Sequence, residues 1–461
     1  MTMDTLPRLD GASVLVYSLG IEGRDLARWL LAQGARVTMS DTRTREQLEA
    51  AGATAPDGVR RVITGRPLLD PEGFDLLAVS QSVLRHEPAM QRARELGIPV
   101  TSQMRLFMQL CPGRMVGITG SAGKSTTTAL VASMANTAGL DYVAGGNIGE
   151  ALLGRLPEIT PTTTVILEVS HTQLQYTDVS PQIAAITNVT PNHLDQFSWD
   201  EYVGLKRRLL EYQGPEDITI LNVDDRTSRG LMVSVRGRLH RCSIQDRVEG
   251  DGAYLAYHDV VCVHGRQHHS VANRSDVRLR GEHNLANVVM ATAIGCAMGL
   301  EHSDMRRAIA SFTGVPHRLE VVGTARGVTY VNDSIATAPE RTIAGLRAFH
   351  EPVVLLLGGR EKNLPLDTLA NEVRRRCRAV VCFGESGADF AQEIESTDVP
   401  VHRVDALDEA VEGASSVAEP GDVVLLAPAG TSFDAYPSFE ARGRAYKELV
   451  QALPGFREGS R

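Results

Sequence analysis

The stretch GITGSAGKSTTT, Gly117 to Thr128, decides the fold of the middle of this chain. A generic phosphate-binding loop reads G-x-x-x-x-G-K-[ST], and Gly123, Lys124 and Ser125 supply its end. Ile118 stands where that pattern has its first glycine, and the glycines fall at 117, 120 and 123 instead. A strand-like run, MVGIT, precedes the loop, and a helical pattern, KSTTTALVASMANTA, follows it. This context predicts backbone N–H groups around phosphates, a lysine for charge and a hydroxyl for Mg²⁺.

Length and charge limit the classes to which the chain can belong. A length of 461 residues predicts two or three domains, and 43% hydrophobic residues are ample for their cores. A net charge of −9 and a pI near 5.8 disfavour a nucleic-acid partner. The N-terminus lacks a secretory pattern, and no apolar run approaches the roughly 18 residues of a membrane span. We therefore expect a monomeric, cytoplasmic protein with neither a nucleic-acid nor a membrane partner.

The cysteines are predicted to be reduced thiols in the cores, because none forms a C-x-x-C pair and cytosolic thiols stay reduced. The six are Cys111, Cys242, Cys262, Cys296, Cys377 and Cys382. The tract HGRQHH contains His264, His268 and His269, which together suggest a metal site. No carboxylate or cysteine cluster accompanies them in the sequence, so we interpret them as non-ligands.

The first segment is predicted to contain a βαβ unit. A short apolar run, Val14 to Tyr17, suits a buried parallel strand, and a helical pattern and the strand ARVTMSD follow. The turn reads S-L-G-I-E-G, so Ser18 occupies the first glycine position of a G-x-G-x-x-G fingerprint. Asp41 lies 18 residues past Gly23, where such a unit places an acid that contacts a ribose or base.

The last segment contains four apolar strands, VTYVNDS, PVVLLLGG, AVVCFGES and DVVLLAPAG, with helical patterns between them. Strands that alternate with helices predict a parallel α/β domain. We therefore expect an α/β protein of three domains. They are a Rossmann-like domain at 1–111, a P-loop ATPase domain with a parallel sheet at 112–314, and a second Rossmann-like domain at 315–461.

Two strand ends in the second segment carry polar side chains, and one of these side chains suits a metal. Glu168 ends the strand VILE, where a carboxylate faces the crevice of an open α/β sheet. With Ser125 it could hold the Mg²⁺ of MgATP, and a solvated cap is the alternative. His193 and Asp195 follow the strand AAITNV in a turn, which taken alone is more typical of a capped, solvent-facing turn.

Lys206 lies on a helix whose start is predicted from the capping box SWDE at 198–201, and Gly214 can end that helix. Tyr202, Lys206 and Leu210 then share one face. A solvated helix lysine is the plain interpretation of Lys206.

In the last segment, Asp333 and Ser334 end a strand, and Thr337 is predicted to cap the next helix, with Pro339 in its first turn. Such a helix start attracts an anion.

The order of these motifs resembles that of the Mur ligase family, the ATP-dependent amino-acid ligases of peptidoglycan synthesis. After the loop come GGNIG, LEVSHTQL, TNVTPNHLDQF, YVGLKRRL, GEHNLANV, PHRLEVV, VNDSIAT, LLLGGREK and LLAPAGTSFDAYPSFEARG, over nearly the whole chain. The resemblance implies ATP, two Mg²⁺ ions and amide-bond formation through an acyl phosphate. Within the family the order is most similar to members that add glutamate, above all D-glutamate, to UDP-N-acetylmuramoyl-L-alanine.

The resemblance implies that Lys206 is carbamylated by CO₂ and then binds Mg²⁺. Arg207 and Arg208 are expected to lower the pKa of this lysine and so to favour the neutral amine. The catalytic residues implied are Lys124, Glu168, His193 and Lys206. The metal ligands implied are Ser125, Glu168, His193 and Lys206. The ATP contacts implied are Gly117, Thr119, Gly120, Ser121, Gly123, Lys124, Ser125, Thr126, Asn284, Asn287, Arg318 and Asp333.

The two remaining substrates are assigned to different domains. The contacts implied for the UDP-linked substrate are Ser18, Gly20, Gly23, Asp41, Thr42, Ser80, Asn147 and Gln173. The contacts implied for the amino acid are Thr337, Lys362, Ser432, Phe433 and Phe439. The third domain is expected to bring the amino acid and Arg318 onto the phosphates, and domain closure to exclude water.

Three departures from the family pattern leave the acceptor open between D- and L-glutamate. Ile335 stands where a lysine is usual, His171 and Thr172 replace a Ser-Phe pair, and SQSV at 80–83 replaces a Ser-Pro-Gly turn. Arg341 and Arg360 could replace the missing charge. A folate-type polyglutamate ligase, which has no need of Asp41, and a nucleotide-binding regulatory protein without ligase activity are the rival interpretations.

Overall fold

Three β-sheets organise the chain in a computed structural model that describes residues 8–50, 52–147, 152–194, 196–279, 281–361 and 364–458. The chain divides into two compact units, Met1–Phe312 and Thr313–Arg461. The first unit contains two of the sheets and the second unit contains the third. The α/β class expected from the sequence is confirmed. The boundary at residues 111 and 112 stays a prediction.

The first sheet is parallel, with strand order β3-β2-β1-β4-β5. Its strands are β1 (Ser13–Tyr17), β2 (Arg36–Ser40), β3 (Arg61–Ile63), β4 (Leu76–Val79) and β5 (Val100–Ser102). Its helices are α1 (Ile21–Ala32), α2 (Arg45–Ala50), α3 (Pro88–Glu95) and α4 (Gln103–Leu110). The order reverses between β1 and β4, so the loops after these strands border the crevice where such sheets bind ligands.

The turn after β1 has the backbone of a glycine fingerprint although its first residue is serine. Ser18 adopts φ +86°, a left-handed conformation that glycine favours. A Cβ added at Gly23 would lie 1.9 Å from the Ser18 carbonyl oxygen, so only glycine fits there. The predicted βαβ unit is therefore confirmed.

The second sheet has the order β14-β13-β12-β11-β10-β9-β6-β8-β7. Its parallel part comprises β6 (Arg114–Thr119), β7 (Tyr142–Gly146), β8 (Thr164–Glu168), β9 (Ile183–Ile186), β10 (Ile218–Asn222) and β11 (Arg238–Ser243). An antiparallel edge comprises β12 (Gly252–Ala256), β13 (Asp259–His264) and β14 (Gln267–Asn273). Its helices are α5 (Lys124–Thr137), α6 (His171–Leu174), α7 (Trp199–Glu211), α8 (Arg226–Gly230), α9 (Glu282–Met298) and α10 (His302–Ser311). Since β8 and β9 flank β6, the loops after these three strands meet at one edge.

The third sheet has the order β19-β18-β17-β20-β16-β15-β21. Its strands are β15 (Glu320–Ala325), β16 (Val328–Asn332), β17 (Val353–Gly358), β18 (Cys377–Phe383), β19 (Val401–Arg403), β20 (Val423–Ala429) and β21 (Phe456–Glu458). Its helices are α11 (Pro339–Leu346), α12 (Asp367–Arg376), α13 (Gly387–Glu395), α14 (Leu407–Val417) and α15 (Phe439–Gln451). The four apolar strands predicted from the sequence are β16, β17, β18 and β20.

The expectation of six reduced cysteines is wrong for one pair. Cys262 of β13 and Cys296 of α9 form a disulfide, and their Cα atoms lie 6.7 Å apart. Because α9 packs on β13, the two side chains meet although 34 residues separate them in the sequence. The spacing of the cysteines in the sequence does not predict such a contact. The remaining cysteines are free thiols.

No helix of the described residues combines the length and the apolar character that a membrane span requires.

One apolar core joins the first sheet to the second within the first unit. It contains Leu26 of α1, Phe107 of α4 and Leu209 of α7, all fully buried. Asp25 adds a polar connection, because its carboxylate accepts hydrogen bonds from the Gln103 side chain (3.0 Å) and from the backbone N–H of Leu153 (2.9 Å) and Gly154 (3.2 Å).

Asp25→Ala is expected to lower the free energy of unfolding by about 2–4 kcal/mol, because it leaves buried donors without an acceptor. Urea unfolding of the full chain, followed by tryptophan fluorescence, measures the change. Asp10→Ala is the control, since the Asp10 side chain is 75% exposed. Equal midpoints for the two variants would contradict the role given to Asp25.

Candidate functional site

The loop between β6 and α5 has no room for side chains at two of its glycines. A Cβ added at Gly120 would lie 1.9 Å from Thr187 Oγ1, and one added at Gly123 would lie 2.2 Å from Asn287 Oδ1. Gly123 is the N-cap of α5 with φ +82°, and Lys124 is the first helical residue. The backbone can therefore curve closely around an anion at the helix start.

Five further predicted residues of this stretch lie in β6, in the loop or in the first turn of α5. Gly117 lies inside β6, and a Cβ there would approach Pro181 Cγ to 2.6 Å. Thr119 Oγ1 donates to the Val169 carbonyl over 2.6 Å. Ser121 Oγ donates to the Thr190 carbonyl over 2.9 Å and lies 3.0 Å from the Tyr202 hydroxyl. Ser125 and Thr126 are buried in the first turn of α5.

Two residues that the sequence analysis missed bind the loop to the end of β9. Thr187 Oγ1 donates to the Ala122 carbonyl over 2.6 Å. The Asn188 side chain accepts from the Ala122 N–H (2.9 Å) and donates to its carbonyl (3.0 Å). The sequence does indicate this contact weakly, since the polar pair Thr187 and Asn188 follows an apolar strand in AAITNV. The strand ends of a parallel sheet meet at one edge, where such polar residues can reach a neighbouring loop.

Two lysines converge on the carbonyl oxygen of Gly120. Lys124 Nζ donates to it over 2.9 Å and to the Ser121 carbonyl over 3.2 Å. Lys206 Nζ donates to the same oxygen over 2.9 Å and to Thr119 Oγ1 over 3.1 Å. The Lys206 side chain is fully buried. Burial and the charge of Lys124 hold the pKa of Lys206 well below its usual value.

The capping box predicted for α7 is confirmed, since Ser198 and Glu201 cap each other's backbone N–H groups and the helix begins at Trp199. The helix ends at Glu211, before the predicted stop at Gly214. The role predicted for the two arginines beside Lys206 is wrong. Arg207 pairs with Glu211 over 3.4 Å, and Arg208 donates to the Thr177 carbonyl, so the low pKa of Lys206 has other causes.

Glu168 ends β8 with a buried carboxylate, which is 2% exposed as a residue. Its Oε1 accepts from Asn147 Nδ2 over 2.8 Å. Its Oε2 is buried and has no hydrogen-bond partner among the described residues. A buried carboxylate oxygen with free lone pairs beside a hydroxyl-bearing helix start suits a hard divalent cation such as Mg²⁺.

Three rings gather beside Lys206. His193 has φ +55°, and its ring lies 4.3 Å from that of His171 in a stacked arrangement. The ring of Tyr202 lies 5.3 Å from that of His171. Burial, with the charges of Lys206, His193 and Lys124, lowers the pKa of His171 to about 3, so this ring is neutral at neutral pH. His171 Nε2 is buried without a hydrogen-bond partner among the described residues.

His171 is a site residue that the sequence analysis recorded only as a departure from the family pattern. It stands in the first turn of α6, which begins at a capping box between Ser170 and Gln173. Asp195, which the sequence analysis placed beside His193, lies outside the described residues.

The start of α9 also reaches the loop. Asn287 Nδ2 donates to Asn284 Oδ1 over 3.2 Å, one turn earlier on the same helix. The contact of Asn287 with Gly123 therefore brings both predicted asparagines to the edge of the loop.

The candidate residues of the first sheet lie at the carboxyl ends of its strands. Ser18 Oγ accepts from the Gly20 N–H over 3.0 Å. Asp41 accepts from the Leu19 N–H and from Arg43 over 2.7 Å each. Burial favours the neutral carboxyl, but these bonds hold the pKa of Asp41 below its usual value. Thr42 is exposed on the following turn.

Side chains join this edge to the start of α6. Gln173 donates from Nε2 to Glu22 over 2.8 Å. Ser170 donates to the Gln81 side chain over 2.8 Å, one residue past Ser80. Ser80 is buried, and its Oγ lies 2.7 Å from that of Ser82. Ser80 and Gln173 thus lie close to Gln81 and Glu22, two residues to which the sequence analysis gave no role.

In the second unit, Asp333 follows β16 in a buried position, 5% exposed. Its Oδ1 accepts from the Leu319 N–H over 3.1 Å. Burial raises the pKa of Asp333 to about 6, although this hydrogen bond and the charges of Arg318 and Arg341 oppose the rise. The backbone of Leu319 has φ +45°, which turns the chain back toward Asp333.

The cap predicted for α11 is wrong by one residue. Ala338 is the N-cap, without a side-chain hydrogen bond, and Pro339 is the first helical residue. Proline favours this first position because its φ is already helical and it needs no N–H partner there. Thr337 therefore lies just before the helix.

Arg442 of α15 binds the loops that carry the predicted amino-acid contacts. It is 1% exposed and donates to the Ser334 hydroxyl and carbonyl and to the carbonyls of Gly430 and Thr431. Burial lowers its pKa to about 10, so it stays a cation. Arg442 is the arginine of the motif SFEARG, which was quoted in the sequence analysis without a role for this residue.

The remaining predicted residues of the second unit have different surroundings. Ser432 is buried, Phe433 is 54% exposed, and the Phe439 ring lies 6.4 Å from that of His317. Lys362 lies outside the described residues. Of the two substitutes considered for the missing lysine, Arg360 pairs with Glu385 over 2.8 Å. The other, Arg341, donates to the Ile335 carbonyl over 3.3 Å.

Comparison with known proteins finds similarity over most of the chain. Residues 118–295 match the Mur ligase middle domain, and residues 317–430 match the domain described as Mur ligase, glutamate ligase domain. A UDP-N-acetylmuramoylalanine–D-glutamate ligase of Clostridium kluyveri is 36% identical over 448 residues, 95% of this chain and 96% of that protein. The ligase of the same name from Symbiobacterium thermophilum is 37% identical over 444 residues, 95% and 97% of the two chains.

Solved structures with a similar fold are more distant in sequence. A UDP-N-acetylmuramate–alanine ligase of Thermotoga maritima has a TM-score of 0.56 at 18% identity, covering 96% of this chain and 99% of that one. A pseudomurein peptide ligase of Methanothermus fervidus has a TM-score of 0.52 at 16% identity, covering 96% and 99%. At these identities the similarity is one of fold.

Asp333→Asn is expected to change how stability depends on pH. In the folded chain the pKa of Asp333 is about 6, above its usual value of 3.8, so the folded state binds more protons than the unfolded state between these values. Stability therefore falls as pH rises through that window, by at most about 3 kcal/mol. Asp333→Asn removes this pH dependence. The free energy of unfolding of the variant minus that of the wild type should therefore be larger at pH 7.5 than at pH 4.5.

Urea unfolding of the full chain at both pH values measures the difference. Asp389→Asn, at an exposed position of α13, is the control. A wild-type-to-variant difference that is the same at both pH values would contradict a raised pKa at Asp333.

Proposed function

The chain belongs to the Mur ligase family, and we propose that it joins D-glutamate to UDP-N-acetylmuramoyl-L-alanine in peptidoglycan precursor synthesis. It is an ATP-dependent carbon–nitrogen ligase that forms ADP and phosphate. The observation that carries the specific substrate is the similarity to ligases of that name over 95% of the chain. The convergence of the loop, Glu168 and Lys206 at one sheet edge supplies the chemistry that such a reaction requires.

The phosphates of ATP are held, in this proposal, by the loop Gly117 to Thr126 and the start of α5. The glycines let the backbone N–H groups approach, and the helix dipole favours the negative charge. Lys124 turns from the loop carbonyls to the phosphates and neutralises charge that develops on the transferred group. Asn284 and Asn287 border the same loop.

The donor set of the site fits the Mg²⁺ ions that Mur ligases use. Ser125 and Glu168, whose Oε2 has no partner among the described residues, would hold one ion, and His193 with Lys206 would hold another. Bound Mg²⁺ would neutralise phosphate charge and orient the phosphoryl group for in-line transfer. Asn147 fixes the Glu168 carboxylate through Oε1 and so leaves Oε2 for the ion.

A carbamate at Lys206 is the form in which this side chain would bind metal. The amine is fully buried and shares the Gly120 carbonyl with Lys124, so two cations crowd one acceptor. Both conditions favour the neutral amine, which is the form that attacks the carbon of CO₂ and then loses a proton to give the carbamate. A carbamate at Lys206 is an anion, so the repulsion between Lys206 and Lys124 would become an attraction.

The crevice between Ser18, Ser80 and α6 is the proposed position of the UDP-linked substrate. The carboxylate of that substrate is activated as an acyl phosphate, and the amine of glutamate displaces phosphate to form the amide. Thr337, Lys362, Ser432, Phe433 and Phe439 are the proposed contacts of the amino acid, and Arg318 and Asp333 are proposed contacts of ATP. Ile335 cannot donate a hydrogen bond to a carboxylate, which keeps L-glutamate as the alternative acceptor.

Phosphate release with ATP and UDP-N-acetylmuramoyl-L-alanine is the decisive assay, run with D-glutamate, with L-glutamate and without acceptor. We expect release that depends on D-glutamate and a product heavier by one glutamate residue in mass spectrometry. Faster turnover with L-glutamate would reassign the acceptor. Release that requires a folate, or none at all, would overturn the proposal.

Lys124→Ala should abolish the activity while the fold is retained, because neither water nor a neighbouring group replaces a cation on the phosphates. The same phosphate assay, together with circular dichroism, tests it. Lys447→Ala is the matched control, since this lysine of α15 pairs with Glu320 within the other unit. Near-normal turnover of a folded Lys124→Ala variant would show that the loop is not the ATP site.

Lys206→Ala should be nearly inactive, and short carboxylic acids such as formate and acetate should restore part of the activity by supplying the missing carboxylate. Lys206→Arg is the control, since arginine keeps the cation but cannot form the carbamate. It should be inactive and should not respond to the acids. Full activity of Lys206→Ala, or equal rescue of both variants, would rule the carbamate out.

A further inference from the structure

A second cluster of metal-binding side chains lies at the antiparallel edge of the second sheet. Cys262 of β13, Cys296 of α9 and His302 of α10 each offer one ligand atom, and these atoms all lie within 4.8 Å of one another. The three residues come from three different elements, so the fold brings them together rather than local sequence. Neither the proposed reaction nor the similarity to known ligases gives them a role.

His269 lies beside the cluster and is the candidate for its fourth ligand. The antiparallel register of β13 and β14 pairs His269 with Cys262, so the two side chains lie on the same face of the sheet. The His269 ring lies 4.7 Å from the ring of His302. Its Nε2 lies 3.3 Å from Gln267 Oε1, and a hydrogen bond there would leave Nδ1 as the ligand atom.

From the sequence alone, the histidines of HGRQHH are expected to be non-ligands, because no cysteine cluster accompanies them there. For His269 that reason is removed, because Cys262 lies opposite it on β13 and is bonded to Cys296. His268 points to the other face, where it contacts Tyr254 and Arg247. Only one of the adjacent histidines therefore belongs to the cluster.

We propose that Cys262, Cys296, His302 and His269 form a Zn²⁺ site when the two cysteines are reduced. Two thiolates and two imidazoles are a common donor set of tetrahedral zinc sites. Zn–S bonds of about 2.3 Å and Zn–N bonds of about 2.0–2.1 Å place neighbouring donors less than about 4 Å apart. Soft thiolates favour Zn²⁺ over Mg²⁺, which prefers oxygen donors, so this site is chemically distinct from the one at the loop.

In this proposal the disulfide between Cys262 and Cys296 is the oxidised form of the site. A dithiol reductant gives two electrons and two protons to the disulfide, which yields two thiols and a disulfide of the reductant. Zn²⁺ then displaces the two thiol protons as it binds. The Cα atoms of the cysteines lie 6.7 Å apart, near the upper end of the range of about 4.4–6.8 Å for disulfides, so an ion can bridge the sulfurs without a large backbone movement.

Metal binding is measured on the full chain after reduction and anaerobic removal of the reductant. Co²⁺ is the spectroscopic probe, because thiolate coordination gives a near-ultraviolet charge-transfer band and a tetrahedral site gives intense visible bands. The oxygen-rich site at the loop gives neither. We expect both bands at one Co²⁺ per chain and their loss when one equivalent of Zn²⁺ is added.

Cys296→Ser and His302→Ala should each weaken Zn²⁺ binding by roughly a hundredfold or more. His268→Ala and Cys111→Ser are the matched controls, because the first is the neighbour of His269 on the opposite face and the second is a free thiol elsewhere. Both controls should bind as the wild type does. Circular dichroism checks that each variant is folded.

Two outcomes would overturn the proposal. One is a reduced wild-type chain that shows no thiolate band with Co²⁺. The other is a folded Cys296→Ser or His302→Ala variant that binds Zn²⁺ as tightly as the wild type. The assay contains no ATP or substrate, so its failure leaves the proposed ligase reaction untouched, and failure of the ligase assay leaves this site untouched.

Discussion

The carbonyl oxygen of Gly120 accepts hydrogen bonds from both Lys124 and Lys206, and the proposed site is built around this shared acceptor. The sheet order makes it possible, because β6 lies between β8 and β9 and the loop after β6 therefore meets polar side chains from both neighbours. Two cations at one oxygen repel each other unless an anion or a loss of charge relieves them. In the proposed reaction, a bound phosphate would pair with the positive charge of Lys124, and carbamylation would remove the positive charge of Lys206.

Several charged groups of the candidate site are buried, which lowers the stability of the apo chain. Lys206 is fully buried, Glu168 has an oxygen without a partner among the described residues, and Asp333 titrates far above its usual range. A fold selected for stability alone would place apolar side chains at such positions. Glu168 lies at the carboxyl end of β8, and in the other unit Asp333 follows β16; such strand ends are typical of ligand sites rather than of cores.

The sequence predicts those parts of the structure that depend on neighbouring residues. The loop, the end of β8 at Glu168 and the capping box at Ser198 follow from local patterns, and the structure contains all three. The contacts of Thr187 and Asn188 with the loop join residues about 65 positions apart, and no local pattern specifies them.

The errors have two different physical origins. The predicted cap at Thr337 followed a pattern that Pro339 overrides by fixing the first helical turn. The low pKa of Lys206 was attributed to Arg207 and Arg208, its neighbours in sequence. On a helix adjacent residues point in different directions, so the partner that matters is Lys124 from another element.

Helix α9 connects the two sites of the first unit that bear chemistry. Asn287, near its start, contacts Gly123 of the loop, and Cys296, in its last turn, belongs to the cysteine–histidine cluster. Nine residues separate them, which is about 14 Å along a helix. The residues between them are almost all buried, so the helix cannot bend easily without disturbing the core. A bond at Cys296, whether to Cys262 or to an ion, therefore fixes the far end of the helix whose near end packs on the loop.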